Sequence, residues 1–98
     1  MPDTYSIVWS LRASKDLDKI LDYLEMQWTE REIKKFVQLL EHRLQLISRH
    51  PKLYPVSGKK PDIHRSVLSR QTSIYYQVKQ MEIVIIALTD NRQKPRDL

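Results

Sequence analysis

The apolar period of this chain changes once, and that change restricts the folds open to it. Over residues 13–28, Ala13, Leu17, Ile20, Leu21, Leu24 and Trp28 recur every three or four positions, which puts them on one face of a helix. Thr29 follows as an N-cap, with Glu32 three residues on completing a capping box. A second stripe then begins: Ile33, Phe36, Val37, Leu40, Leu44 and Ile47. His50-Pro51 ends it, because proline lacks the amide donor and restricts its predecessor. The two helical stretches abut almost without a loop, so they predict a hairpin. From Thr72 the period is two. Ile74, Tyr76 and Val78 face one way, and Ser73, Tyr75, Gln77 and Lys79 the other.

Strands predicted on this pattern cover residues 5–11, 64–68, 72–79 and 82–89. The last contains "IVIIAL", apolar on both faces, as a central strand requires. The short connections among the final three strands favour antiparallel neighbours. The order β-α-α-β-β-β is an α+β fold: a helical hairpin packed on one face of a mainly antiparallel four-stranded sheet. At 98 residues, the chain reads as one domain, residues 1–98.

Lys and Arg number 17 against 12 Asp and Glu, a net charge of +5. A cationic surface favours anionic partners: RNA, DNA or an acidic protein. There is no cysteine, which removes disulfides, thiolate catalysis and Cys-type zinc sites and fits a cytoplasmic protein. No apolar run is long enough to span a bilayer, and no signal peptide is evident, so no membrane association is expected. A single glycine leaves no glycine-rich phosphate loop, and no cofactor is expected. His42, His50 and His64 lack metal-ligand spacing, and no metal site is expected.

The sheet face away from the helices needs a use. Arg65 lies on the second strand; an arginine beside Tyr75 and a cationic loop carrying Lys52, Lys59 and Lys60 would make a concave basic surface. The planar fork of a guanidinium suits phosphate.

Several segments then resemble one family. "WSLRASKDLDKILDYL" is similar to the first helix of the RelE/ParE superfamily, the toxins of bacterial type II toxin–antitoxin systems, with its spacing at Ala13, Asp16, Leu17, Ile20 and Tyr23. "HPKLYPVSGKKPDIHRSVL" resembles the proline–glycine loop leading into the arginine strand. "SIYYQV" resembles the aromatic third strand, and "LTDNRQKP" the strand end and tail. The resemblance implies a growth-inhibiting, plasmid-stabilising toxin neutralised by a cognate antitoxin that covers the basic sheet face and its loop. Promoter DNA would be bound only through the antitoxin complex. Two targets follow from the resemblance: DNA gyrase, as for ParE-like members, or messenger RNA on the ribosome, as for RelE-like ones. An inert remnant or a basic nucleic-acid-binding module is the remaining alternative.

For RNA cleavage, the resemblance assigns Arg65 to phosphate and places Lys59 and Lys60 as loop lysines. The chain departs from that pattern in its tail, which has neither tyrosine nor histidine after Asp90. Arg92 can stabilise phosphate but is a poor proton carrier because it stays charged. The candidate site is therefore Lys59, Lys60, Arg65, Tyr75 and Arg92, with Arg65 and Arg92 as the catalytic candidates. Each has a structural alternative. Arg65 can pair with a carboxylate such as Asp90, the lysines can be a solvated turn, Tyr75 a half-buried sheet residue, and Arg92 part of a solvated tail. Asp16, Asp18 and Asp22 read as solvated helix residues, and Trp9 and Trp28 as packing anchors.

Overall fold

The structure, a computed structural model, describes residues 4–58 and 62–90. Its elements are β1 (Ser6–Trp9), α1 (Leu11–Gln27), α2 (Glu30–Arg49), β2 (Ile63–Val67), β3 (Thr72–Lys79) and β4 (Glu82–Asp90). The sheet order is β1-β4-β3-β2, so β4 is central, as its two-sided apolarity requires. β1 lies parallel to β4, and the other two pairings are antiparallel.

α1 begins two residues before the first position of its apolar stripe. Ser10 is its N-cap, and its Oγ accepts from the Ala13 amide at 3.0 Å. Thr29 caps α2 as its position predicts, accepting from the Glu32 amide at 3.4 Å. Phe36, Leu40 and Ile47 of α2, with Ala13 and Leu24 of α1, pack on Ile74, Tyr76, Ile83, Ile85 and Leu88 of the sheet. Burying one such aliphatic or aromatic side chain is worth about 1.5–3 kcal/mol.

A β-bulge explains the pattern of β4. Tyr75 pairs with Ala87, but Tyr76 pairs with Ile85, leaving Ile86 as the extra residue. Ile83 and Ile85 therefore face the helices below the bulge, and Leu88 does so above it. Strict alternation would have sent Ala87 inward and Leu88 outward.

A polar layer joins α2 to the β2 side of the sheet. The Arg43 Nη1 donates to Ser66 Oγ at 2.7 Å and to the Val67 carbonyl at 2.8 Å, and its guanidinium lies 5.3 Å from the Tyr54 ring centroid. The outer edge of β2 is covered by the preceding loop. The Ser57 amide donates to the Ile63 carbonyl at 2.6 Å, and the Arg65 amide to the Pro55 carbonyl at 3.0 Å. An edge strand is thus closed to further pairing there.

Candidate functional site

The register decides which side each candidate residue occupies. Arg65 pairs across from Tyr75, and Val67 from Ser73, on the face opposite the helices. Arg65 is exposed there, and its Nε donates to Ser73 Oγ at 3.2 Å. Tyr75 is only 3% exposed, and its neighbours Ser73 and Ala87 are fully buried. Little of the Tyr75 ring is open for stacking. Lys59, Lys60 and Arg92 lie outside the described residues.

His64 turns the other way. It pairs with Tyr76 on the helix-facing side, and the two rings stack with centroids 5.1 Å apart and planes 13° from parallel. Its Nδ1 lies 2.8 Å from the Tyr54 carbonyl. A carbonyl only accepts, so Nδ1 carries the proton and the neutral ring is the Nδ1–H tautomer. The Tyr76 hydroxyl donates to the Pro51 carbonyl at 2.7 Å. Burial raises the Tyr76 phenol to about 12; a backbone hydrogen bond at Tyr54 opposes this, and the Tyr54 side chain adds to it. These proton-bearing groups are therefore separated from Arg65 by the sheet.

The large concavity lies on the helix side. A groove of about 1180 Å³ runs between α1, α2 and the upper ends of β3 and β4. Ile20, Tyr23, Leu24, Trp28, Phe36 and Leu39 form its apolar lining. Lys19, Arg31, Lys35 and Glu32 stand on its helical walls, and Asp16 and Asp90 lie at the sheet end, so its lining carries both signs of charge. Tyr23 is 51% exposed, and Trp28 and Leu39 are each 38% exposed. Trp28 thus departs from the packing role expected of it: at the helix corner, part of its ring stays in contact with solvent. Trp9 does pack against the core.

Asp16 also departs from a merely solvated role. Its Oδ2 accepts from the Leu88 amide at 3.1 Å, across a separation of 72 residues, and Arg12 Nε lies 3.8 Å from the same oxygen. No periodicity in the sequence signals this contact, because it depends on how α1 lies over β4. Among the described residues, no cluster of His, Cys, Asp or Glu has the arrangement of a metal site, and no helix is long and apolar enough to cross a membrane.

The family model for the ParE toxin of type II toxin–antitoxin systems, parDE, matches residues 7–95. The chain belongs to the ParE toxin family. Among solved structures, a chromosomal ParDE system from P. aeruginosa superposes with a TM-score of 0.74 at 22% identity, covering 91% of this chain and 98% of that one. The YoeB dimer from Staphylococcus aureus gives 0.63 at 17% identity, covering 88% and 95%. The toxin–antitoxin complex RelBE2 from Mycobacterium tuberculosis gives 0.63 at 14% identity, covering 92% and 94%. At these identities, the likeness is one of fold. A search of curated proteins finds no match. The α+β fold expected from the order of helices and strands, and the toxin family implied by the resemblance, are both observed.

Proposed function

We propose that this toxin works by binding its target, with DNA gyrase as that target, and that a cognate antitoxin neutralises it in the cytoplasm. The observation that carries the reading is the separation of groups by the sheet. RNA cleavage through 2′-hydroxyl attack needs a proton acceptor and a proton donor beside the phosphate cation. Here His64 and Tyr76 are locked on the far side from Arg65, Tyr75 is buried, and the sequence after Asp90 contains no tyrosine or histidine. Binding requires none of these groups. Membership of the ParE family supports the same direction.

The antitoxin segment that fits the helical groove is an amphipathic helix. Its apolar face would cover Tyr23, Trp28 and Leu39, and flanking acidic and basic side chains would meet Lys19, Arg31 and Lys35 and the neighbouring Glu32. On this reading the apolar contact lies in the helical groove, whereas the family resemblance implies cover of the sheet face and its loop. The exposed position of Arg65 on the sheet face favours the second reading, messenger RNA cleavage on the ribosome, because a guanidinium there can engage phosphate.

Regulated expression in a bacterial host, with labelled precursors followed into DNA and protein, separates the two. An early fall in DNA synthesis, together with trapped gyrase–DNA cleavage complexes from the purified toxin, is the expected result. An early fall in protein synthesis, abolished by Arg65→Ala, would replace gyrase with the ribosome. No growth effect from folded protein would favour the inert or simple nucleic-acid-binding alternative.

A further inference from the structure

The two edges of the sheet differ. The outer side of β2 is closed by the Pro55 carbonyl and the Ser57 amide. β1, at the other end of the order β1-β4-β3-β2, has no such cover among the described residues. The Ser6 amide donates to the Met81 carbonyl at 3.0 Å, and the Ser10 amide to the Ile85 carbonyl at 3.1 Å. Backbone groups alternate in direction along a strand, so Ser6, Val8 and Ser10 face β4, while the N–H and C=O of Ile7 and Trp9 point to the outer side. Among the described residues, no backbone hydrogen bond reaches Ile7 or Trp9 from that side. The Tyr5 amide is already bonded, to the Ser48 carbonyl at 2.8 Å, and α1 begins at Leu11. The open edge is therefore Ile7 to Trp9, centred on Val8. Natural edges are blunted by charge, proline, a bulge or a covering segment. Ser6–Trp9 carries no charge and no proline, and its register with β4 is unbroken. Ile7 and Trp9 pack their side chains on the core, whereas Val8 lies on the opposite face, 38% exposed.

We propose that this edge pairs antiparallel with β1 of a second copy of the chain, about a two-fold axis through Val8. Ile7 then faces Trp9 of the second copy, Trp9 faces its Ile7, and each pair exchanges both N–H···O bonds. Every outward group of the open stretch gains a partner, and none is left over. A strand extending further would meet the Tyr5 amide, which is bonded already. Val8 comes against Val8 of the second copy at a non-hydrogen-bonded position, where facing side chains are closest. A two-fold axis brings a residue on it against its own kind, so a charge there would meet its like; valine meets valine. Residues paired across strands share a face, so both helical hairpins lie on one side of the joined sheet and both Arg65 residues on the other. The pairing goes beyond the toxin reading and requires neither target.

The test uses the full chain without antitoxin. Sedimentation over a range of concentrations should show the mass rising from one chain toward two. Amide hydrogen exchange at Ile7 and Trp9 should slow over the same range, with Tyr5 unaltered. The chain has no cysteine, so Val8→Cys should give a disulfide-linked pair on mild oxidation. Lys79→Cys, exposed on the same face but away from this edge, should not. Val8→Lys and Val8→Glu should each weaken dimerisation about tenfold or more, and an equimolar mixture of the two should restore it. Urea unfolding verifies that each variant is folded, and the cysteine pair decides the matter if the charged variants are not. A chain that stays single at every concentration overturns the proposal, as does a dimer in which Val8→Cys does not link. Ile7 and Trp9 amides that slow only when antitoxin is added would assign the edge to an antitoxin strand, and would overturn it too.

Discussion

Tyr76 is the residue through which the packing of this toxin can be measured most directly. Its side chain is fully buried, its ring stacks on His64, and its hydroxyl donates to the buried Pro51 carbonyl at 2.7 Å. Tyr76→Phe keeps the ring and removes the donor. The carbonyl of Pro51 then loses its partner, at a cost of about 1–3 kcal/mol. In a domain of this size, each kcal/mol lowers Tm by about 4–8 °C. The phenol adds a pH signature. Its folded pKa of about 12 stands above the ordinary value of 10.0, so the folded state holds the proton more tightly than the unfolded one. That contribution is fully present below pH 10 and is lost as pH rises through 12. The two-unit difference corresponds to about 2–3 kcal/mol. The phenylalanine variant has no such group, so its deficit should shrink between pH 10 and 12 and can vanish or reverse at the top of that range. Urea unfolding of both proteins at pH 7, 9, 10.5 and 11.5 measures this. A deficit that stays constant across the series would refute the reasoning, because it would mean that Tyr76 titrates alike in both states.

Other substitutions probe the remaining joints. Ser10→Ala removes the α1 cap and the donor to the Ile86 carbonyl; denaturant unfolding should show a loss of about 1–2 kcal/mol. Arg43→Leu keeps an apolar stem but takes the partner from Ser66, which is fully buried; a loss of about 1–3 kcal/mol is expected by thermal or urea unfolding. Gln80 turns from β3 to β4 with φ of 52°, so Gln80→Gly should raise stability by up to about 1 kcal/mol in the same assay. Trp28→Ala should leave stability nearly unchanged and weaken antitoxin binding by about 2 kcal/mol or more, read by calorimetric titration.

Much of this fold was legible in local pattern. The helical stripes, the Thr29 cap, the stop at His50-Pro51 and the alternation of β3 are properties of neighbouring residues, and short-range sterics and hydrogen bonding make them readable. The central place of β4 followed from its apolarity on both faces; the side taken by Arg65, across from Tyr75, was left open by the pattern and is fixed by the register. The Ser10 cap was not among these: the strand predicted over residues 5–11 ran through it, whereas β1 ends at Trp9 and α1 begins at Leu11.

What tertiary structure alone decided is which distant groups meet. Asp16 reaches Leu88 because α1 crosses the part of β4 that β1 leaves uncovered. Arg43 finds Ser66 because α2 lies over β2. His64, one residue from Arg65, ends on the other side of the sheet, since a strand sends neighbours to opposite faces and only the packing of the helices determines which face is buried. The groove exists because the hairpin leaves Tyr23 and Trp28 partly open. Periodicity reports that a face is apolar; it does not report what covers it, because that depends on contacts between segments far apart in the chain.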